Sequence, residues 1–266
     1  YFRFKTLFMD NQANTLTEQE WPVIKIIDGV CRMPEWRMAE PVNFTLNNSE
    51  QLAIVGPNGG GKTRLVNILI GRYPLLMRDP EYDFRPSQKT MVSDNIKYIT
   101  FLDAYGGDND RTYYLQQRWN RTEMDEATPT VGDRLEGIFK LTGEDTPERR
   151  ALQQRLYSTF ALQPLLDKPT PFLSSGELRK FKLTETLLAS PRVLIMDNPF
   201  IGLDASTRDD LCELLATISR KPDLQIILVL SKTDDIPPFI THIVEVSDNI
   251  VRPKQTLDQY PHNKEA

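Results

Sequence analysis

Residues 56–63 read GPNGGGKT and match GxxxxGK[ST] at every fixed position. Each part has a chemical reason. The glycines let the backbone curl until its N–H groups face one point, which makes an anion-binding nest. Lys62 adds a point charge on a long stem, and the Thr63 hydroxyl is a hard oxygen ligand suited to Mg²⁺. A helix starting at this point would add its positive N-terminal end. The expected phosphate-contacting set is therefore Gly56, Pro57, Asn58, Gly59, Gly60, Gly61, Lys62, Thr63 and Arg64. The alternative is a flexible glycine turn beside a chance lysine. The context argues against it, because residues 51–55 read as a short buried strand and 64–70 carry apolar residues at helical spacing.

Further chemistry lies downstream. Residues 173–177 read LSSGE ahead of a helical stretch. Asp197 then closes the apolar run 193–196, and residues 202–204 read GLD. Singly these are weak signals, since LSSGE also reads as a plain helix N-cap. In this order and spacing they resemble the nucleotide-binding domain of ABC ATPases over about residues 21–248. The resemblance implies ATP as the nucleotide, with Mg²⁺ held by Thr63 and Asp197. It makes Ser174, Ser175, Gly176 and Glu177 the ABC signature and Asp204 the D-loop aspartate. In this family two domains pair head to tail, so the signature would address the ATP of a second ABC domain. The phrases YPLL (73–76), FLSSGELRK (172–180), DNPFIGLD (197–204) and DIPPF (235–239) resemble, more narrowly, the N-terminal half of tandem molybdate-transport/photorepair-type ATP-binding proteins. A competing match exists in DAYG (103–106) and SKTD (231–234), which resemble GTPase motifs. The long gap between them and the serine at 231 count against it.

Three catalytic positions depart from the family pattern. Asn198 stands where a glutamate usually follows the Walker B aspartate. An amide holds a water but cannot take its proton, and losing a general base costs about 10²- to 10⁴-fold in rate. Lys232 falls at the switch-histidine position, with a solvent-facing lysine as the equal alternative. No glutamine ends the strand over 96–101, and of Gln117 and Asp103 the former is preferred as its counterpart. The adenine-stacking position falls near Met33, with Trp36 as a substitute. The expectation is thus an ABC ATPase domain whose own site hydrolyses slowly and whose ATP-driven closure serves transport. The alternative is an ATP-sensing interaction module without hydrolysis.

These residues need a scaffold. Runs at 23–27, 42–46, 51–55, 96–101, 193–196, 225–230 and 243–246 read as strands, and 178–189 and 208–219 as helices. The implied fold is α/β: a P-loop NTPase (RecA-like) core with a mixed sheet, an inserted helical subdomain and an N-terminal antiparallel β part. Polar residues 104–172 form that subdomain, with Thr146 and Pro147 opening one helix as cap and first-turn proline. Residues 1–20 are an extension and 249–266 a polar tail, read as a linker into a second half. The absence of a starting methionine reads as a trimmed fragment.

At 266 residues and 39% hydrophobic content the chain can bury a sizeable core. A net charge of −5 argues against nucleic acid as the main partner. Cys31 and Cys212 have no metal or disulfide spacing, which fits reduced thiols in the cytoplasm. The longest apolar run, 226–230, is of strand length, so a membrane role needs a separate permease subunit and a place at the inner membrane face.

Overall fold

The computed structural model describes residues 20–100, 128–201, 203, 205–221, 223–231 and 236–260. Gln117, Asp103, Gly202, Asp204 and Lys232 lie outside the described residues, as do residues 1–19 of the 1–20 extension and the opening of the helical subdomain.

Five strands build the central parallel sheet: β3 (Leu52–Val55), β5 (Ile96–Thr100), β6 (Val193–Asp197), β7 (Gln225–Leu230) and β8 (His242–Ser247). Every residue of β3, β6 and β7 is buried, as expected of parallel strands covered on both faces. Alternation still sorts their side chains. Val55, Leu194, Met196 and Leu228 point into one hydrophobic cluster, and Ile54, Val193, Ile195 and Ile227 into another. The second cluster holds α1 (Lys62–Leu69) and the antiparallel sheet of β1 (Pro22–Gly29), β2 (Val42–Asn47) and β4 (Glu81–Tyr82). A short helix α2 (Val92–Asn95) leads into β5.

The first cluster holds four helices: α3 (Val131–Leu141), α4 (Pro147–Thr159), α5 (Ser175–Leu188) and α6 (Ala205–Ile218). Thr146 caps α4 by accepting from Arg149 N–H at 3.3 Å, with Pro147 in the first turn, as its sequence implied. Helices α3 and α4 both pack on α5. Phe181 of α5 is fully buried there, and truncating it to alanine costs about 3–5 kcal/mol.

The path through the large sheet is β10-β8-β3-β7-β6-β5, with β9 (Ile250–Val251) paired to β8 and β10 (Gln255–Thr256) antiparallel to it. Residues 250–251 and 255–256, within the stretch read from sequence as a polar tail, thus pair with β8. Strands β9 and β10 are two residues long, too short to show an alternating pattern. Buried glutamines brace the opposite end of the sheet. Gln51 donates to the Ser219 and Leu224 carbonyls, both at 3.1 Å, and accepts from Ile226 N–H at 2.7 Å.

Candidate functional site

Because β3, β7 and β6 are parallel neighbours, their carboxyl ends lie side by side, with Val55 paired to Leu230 and Asp197 to Val229. The residues just beyond those ends are therefore brought together: the 56–61 loop after β3, Asn198 after β6 and Ser231 after β7. This is the crevice where open α/β sheets bind ligands.

The loop enters α1 directly, and Gly61, with φ +107°, is its N-cap. Gly56 and Gly60 have no room for a side chain, since a Cβ would lie 2.0 and 2.9 Å from the Val246 carbonyl oxygen. At Gly59 a Cβ would meet nothing within 4 Å, so that stretch faces open space. Lys62 is 7% exposed and donates to the Gly56 and Pro57 carbonyls at 2.7 and 2.9 Å. Burial pushes its ammonium pKa down, and the Asp197 charge opposes that shift. The Arg64 side chain turns away to the Arg37 carbonyl at 3.0 Å, which leaves only its backbone at the helix start.

Asp197 is 4% exposed. Burial raises its carboxyl pKa, and the Tyr98 hydrogen bond, the Lys62 charge and the Asn198 amide oppose the rise. The Tyr98 hydroxyl donates to Asp197 Oδ2 at 3.1 Å and Asn198 Nδ2 donates to Oδ1 at 2.7 Å. Nothing in the sequence flagged Tyr98. The usable signal was its place on β5, two residues before the Thr100 that pairs with Asp197. Asn198 also turns the chain, with φ +50° and its N–H bonded to the Val229 carbonyl at 2.8 Å. Ser231 Oγ lies 2.8 Å from Asn58 Oδ1 and 3.2 Å from Asn198 Oδ1, and so links the loop to the Asp197 turn.

Among the described residues no three His, Cys, Asp or Glu side chains gather to hold a metal. The Thr63 hydroxyl and the Asp197 carboxylate are hard oxygen donors of the kind that suit Mg²⁺, a cation usually held by one or two carboxylates, waters and phosphate oxygens. A buried lysine and a helix N-terminus likewise suit a polyphosphate.

The LSSGE segment forms the start of α5. Ser174 accepts from Glu177 N–H at 3.3 Å, and Glu177 Oε2 accepts from Ser174 N–H at 2.6 Å, a reciprocal capping box. Lys168 holds the Glu177 carboxylate at 2.7 Å and lowers its pKa. The plain cap read from sequence is therefore present, and Glu177 is engaged inside its own chain. Farther along α5, Arg179 donates to the Pro199 and Ile201 carbonyls and ties this helix to the turn after Asp197.

The adenine candidates are Trp36 and Met33. Trp36 stacks face to face on Tyr73 at 4.4 Å, and Met33 is 41% exposed. Met38, not singled out by sequence, reaches the loop, with its Cε 3.1 Å from the position of a Cβ on Gly61. His242 sits at the far end of β8, opposite Leu52, bonded to the Thr241 hydroxyl at 2.8 Å.

Sheet, loop and helix define a P-loop nucleotide-binding protein. The ABC transporter family matches residues 39–201, a span that contains the loop, LSSGE and Asp197, and the chain belongs to that family. ATP with Mg²⁺ is the family's general cofactor, and ATP hydrolysis its general activity. The chain is 28% identical over 217 residues to the ABC transporter ATP-binding protein ModF of Escherichia coli K12, covering 82% of this chain and 41% of that one. An uncharacterised ABC transporter ATP-binding protein of Schizosaccharomyces pombe is also 28% identical, over 82% and 44% of the two chains. The chain thus spans less than half the length of these two relatives. The taurine import ATP-binding protein TauB of E. coli K12 is 26% identical over 84% of this chain and 78% of that one. Among solved structures, an ATP-binding subunit of an ABC transporter superposes with TM-score 0.69 at 20% identity, covering 89% and 90%. The cbiO1 protein of Clostridium perfringens superposes with TM-score 0.63 at 20% identity, covering 88% of each chain. These structural likenesses speak for the fold. Among the described residues no helix is long and apolar enough to cross a membrane.

Proposed function

We propose that this chain is one ABC domain of a pair, that it binds MgATP through residues 56–64, and that its own site hydrolyses slowly while closure of the pair drives transport. The observation that carries the slow step is Asn198. Its amide nitrogen is spent on Asp197, and its amide oxygen lies beside the Ser231 hydroxyl. Neither an amide nor a serine takes a proton from water at neutral pH. Thr63 and Asp197 would hold Mg²⁺, which supplies charge neutralisation at the phosphates when bound. Lys62 would exchange its carbonyl partners for phosphate oxygens. The segment at Ser174, Ser175 and Gly176 would face the nucleotide of a second ABC domain, with Asp204 beside it. Lys232 and Gln117 would complete the switch and Q-loop positions.

The likeness to ModF over less than half its length supports a partner domain in the same longer chain. The family and the import protein TauB support a permease subunit and a location at the cytoplasmic membrane face. The test measures ATP and GTP binding and turnover with Mg²⁺, on this chain and on the longest native chain containing it, with and without Asn198→Glu. Tight ATP binding with turnover only in the longer chain is expected. Brisk hydrolysis by the isolated chain would overturn the assignment of Asn198, and its absence from both would favour an ATP-sensing module. A glutamate at 198 sits against buried Asp197, so like-charge repulsion raises its pKa. The gain in turnover, up to about 10²-fold, is therefore expected on the alkaline side of the pH profile.

A further inference from the structure

The loop that would hold the phosphates is gripped from outside by the hairpin between β8 and β9. Val246 pairs with Val251 and Ser247 with Ile250, which leaves Asp248 and Asn249 as a two-residue turn. Both have left-handed backbones, φ +53° and +57°, as a type I′ hairpin turn requires. The turn reaches the loop directly. Asn249 N–H donates to the Gly60 carbonyl at 2.9 Å, and the Asn249 carbonyl accepts from Ala39 N–H at 2.8 Å. Asn249 Oδ1 and Cα lie 3.0 and 3.1 Å from where a Cβ on Gly61 would stand. Three residues earlier, the Val246 carbonyl closes off Gly56 and Gly60.

A trans peptide points its C=O and N–H in opposite directions. Fixing the Gly60 carbonyl outward against Asn249 therefore turns the Gly61 N–H of the same peptide away from the hairpin, toward the inside of the loop. We propose that Asn249 is a positioning residue for the phosphate loop: through Gly60 it presets the Gly61 amide for phosphate, and through Ala39 it sets how the 37–39 segment stands over the loop. The proposal rests on the reading that residues 56–64 hold the phosphates. A preset donor costs no reorganisation when the anion arrives. Asparagine suits the place because it tolerates the left-handed backbone, which valine resists strongly.

The experiment measures MgATP affinity by calorimetry, and melting without nucleotide, for the 266-residue chain and its Asn249→Gly, Asn249→Val and Lys62→Ala variants. Glycine keeps both the N–H and the backbone, so its affinity is expected within about twofold of the parent. Valine forces the turn out of shape and is expected to weaken MgATP about tenfold or more. A merely structural turn would lower the melting temperature of Asn249→Val and leave its affinity unchanged. That result, beside a weakened Lys62→Ala, overturns this inference alone. An unweakened Lys62→Ala overturns the phosphate-loop reading and this inference with it. Should the valine variant not fold, hydrogen exchange on the unaltered chain decides. A protected Asn249 amide without nucleotide supports the preset loop, and exchange at the rate of an open turn overturns it.

Discussion

Asp197 is a single buried carboxylate on which burial and its neighbours pull in opposite directions. Burial favours its neutral form and raises its pKa overall, while three neighbours favour the charged form: Tyr98, Lys62 and Asn198. Tyr98→Phe deletes a donor that binds the charged form, so the Asp197 pKa must rise further. A cation at Asp197 needs the carboxylate, and protonation competes with it. In Tyr98→Phe, Mg²⁺-dependent ATP binding is therefore expected to fail at a higher pH than in the parent as the solution is acidified. At neutral pH the Mg²⁺ requirement is expected to rise about tenfold, the usual effect of removing a group that orients a ligand. A Mg²⁺ titration of ATP binding at several pH values checks both. Identical profiles for the two proteins would show that the hydroxyl does not tune Asp197.

Between elements, the helical subdomain is pinned by charge as well as by Phe139 and Phe181. Arg150 of α4 grips Glu136 of α3 at 2.9 and 3.0 Å and also reaches Asp145 at 2.6 Å. The guanidinium bond holds the Glu136 pKa down at about 2. A depressed folded-state pKa gives stability that is present above the ordinary carboxylate range and is lost as pH falls toward the folded value. Arg150→Ala is thus expected to melt at a lower temperature than the parent at pH 7, with the gap closing between about pH 4.5 and 2. Melting curves across that range check it, and a gap independent of pH would mean that the loss is packing against Phe139 rather than charge.

Much of this layer was legible in sequence. The buried runs became β3, β6, β7 and β8, and Thr146 with Pro147 opened a helix, because each signal lies within a few neighbouring residues. What escaped was created by pairing at long range. The Tyr98 contact with Asp197 spans 99 residues. The grip of Asn249 on Gly60 depends on β8 lying beside β3, which no local pattern in the polar stretch after residue 248 discloses.

For the whole molecule, the decisive question is whether α5 serves this chain's own stability or a second domain. Gly176 separates the two. A Cβ added there meets no atom within 4 Å, and its neighbours Ser174 and Glu177 complete the helix cap without it. The chain itself therefore tolerates a side chain at this position. Replacing a helical glycine by alanine is worth up to about 1 kcal/mol of added stability, and an acidic residue in the first turn is also favourable. Gly176→Ala and Gly176→Asp are expected to melt no lower than the parent and to bind MgATP equally well as isolated chains. If α5 points at a partner's nucleotide, the aspartate brings a negative charge against its phosphates. Turnover of the longer native chain should then fall by about tenfold or more with Gly176→Asp and less with Gly176→Ala, while the melting temperature stays level. Unchanged turnover would show that Ser174, Ser175 and Gly176 form a cap and nothing more, and that no second domain closes its ATP site against them.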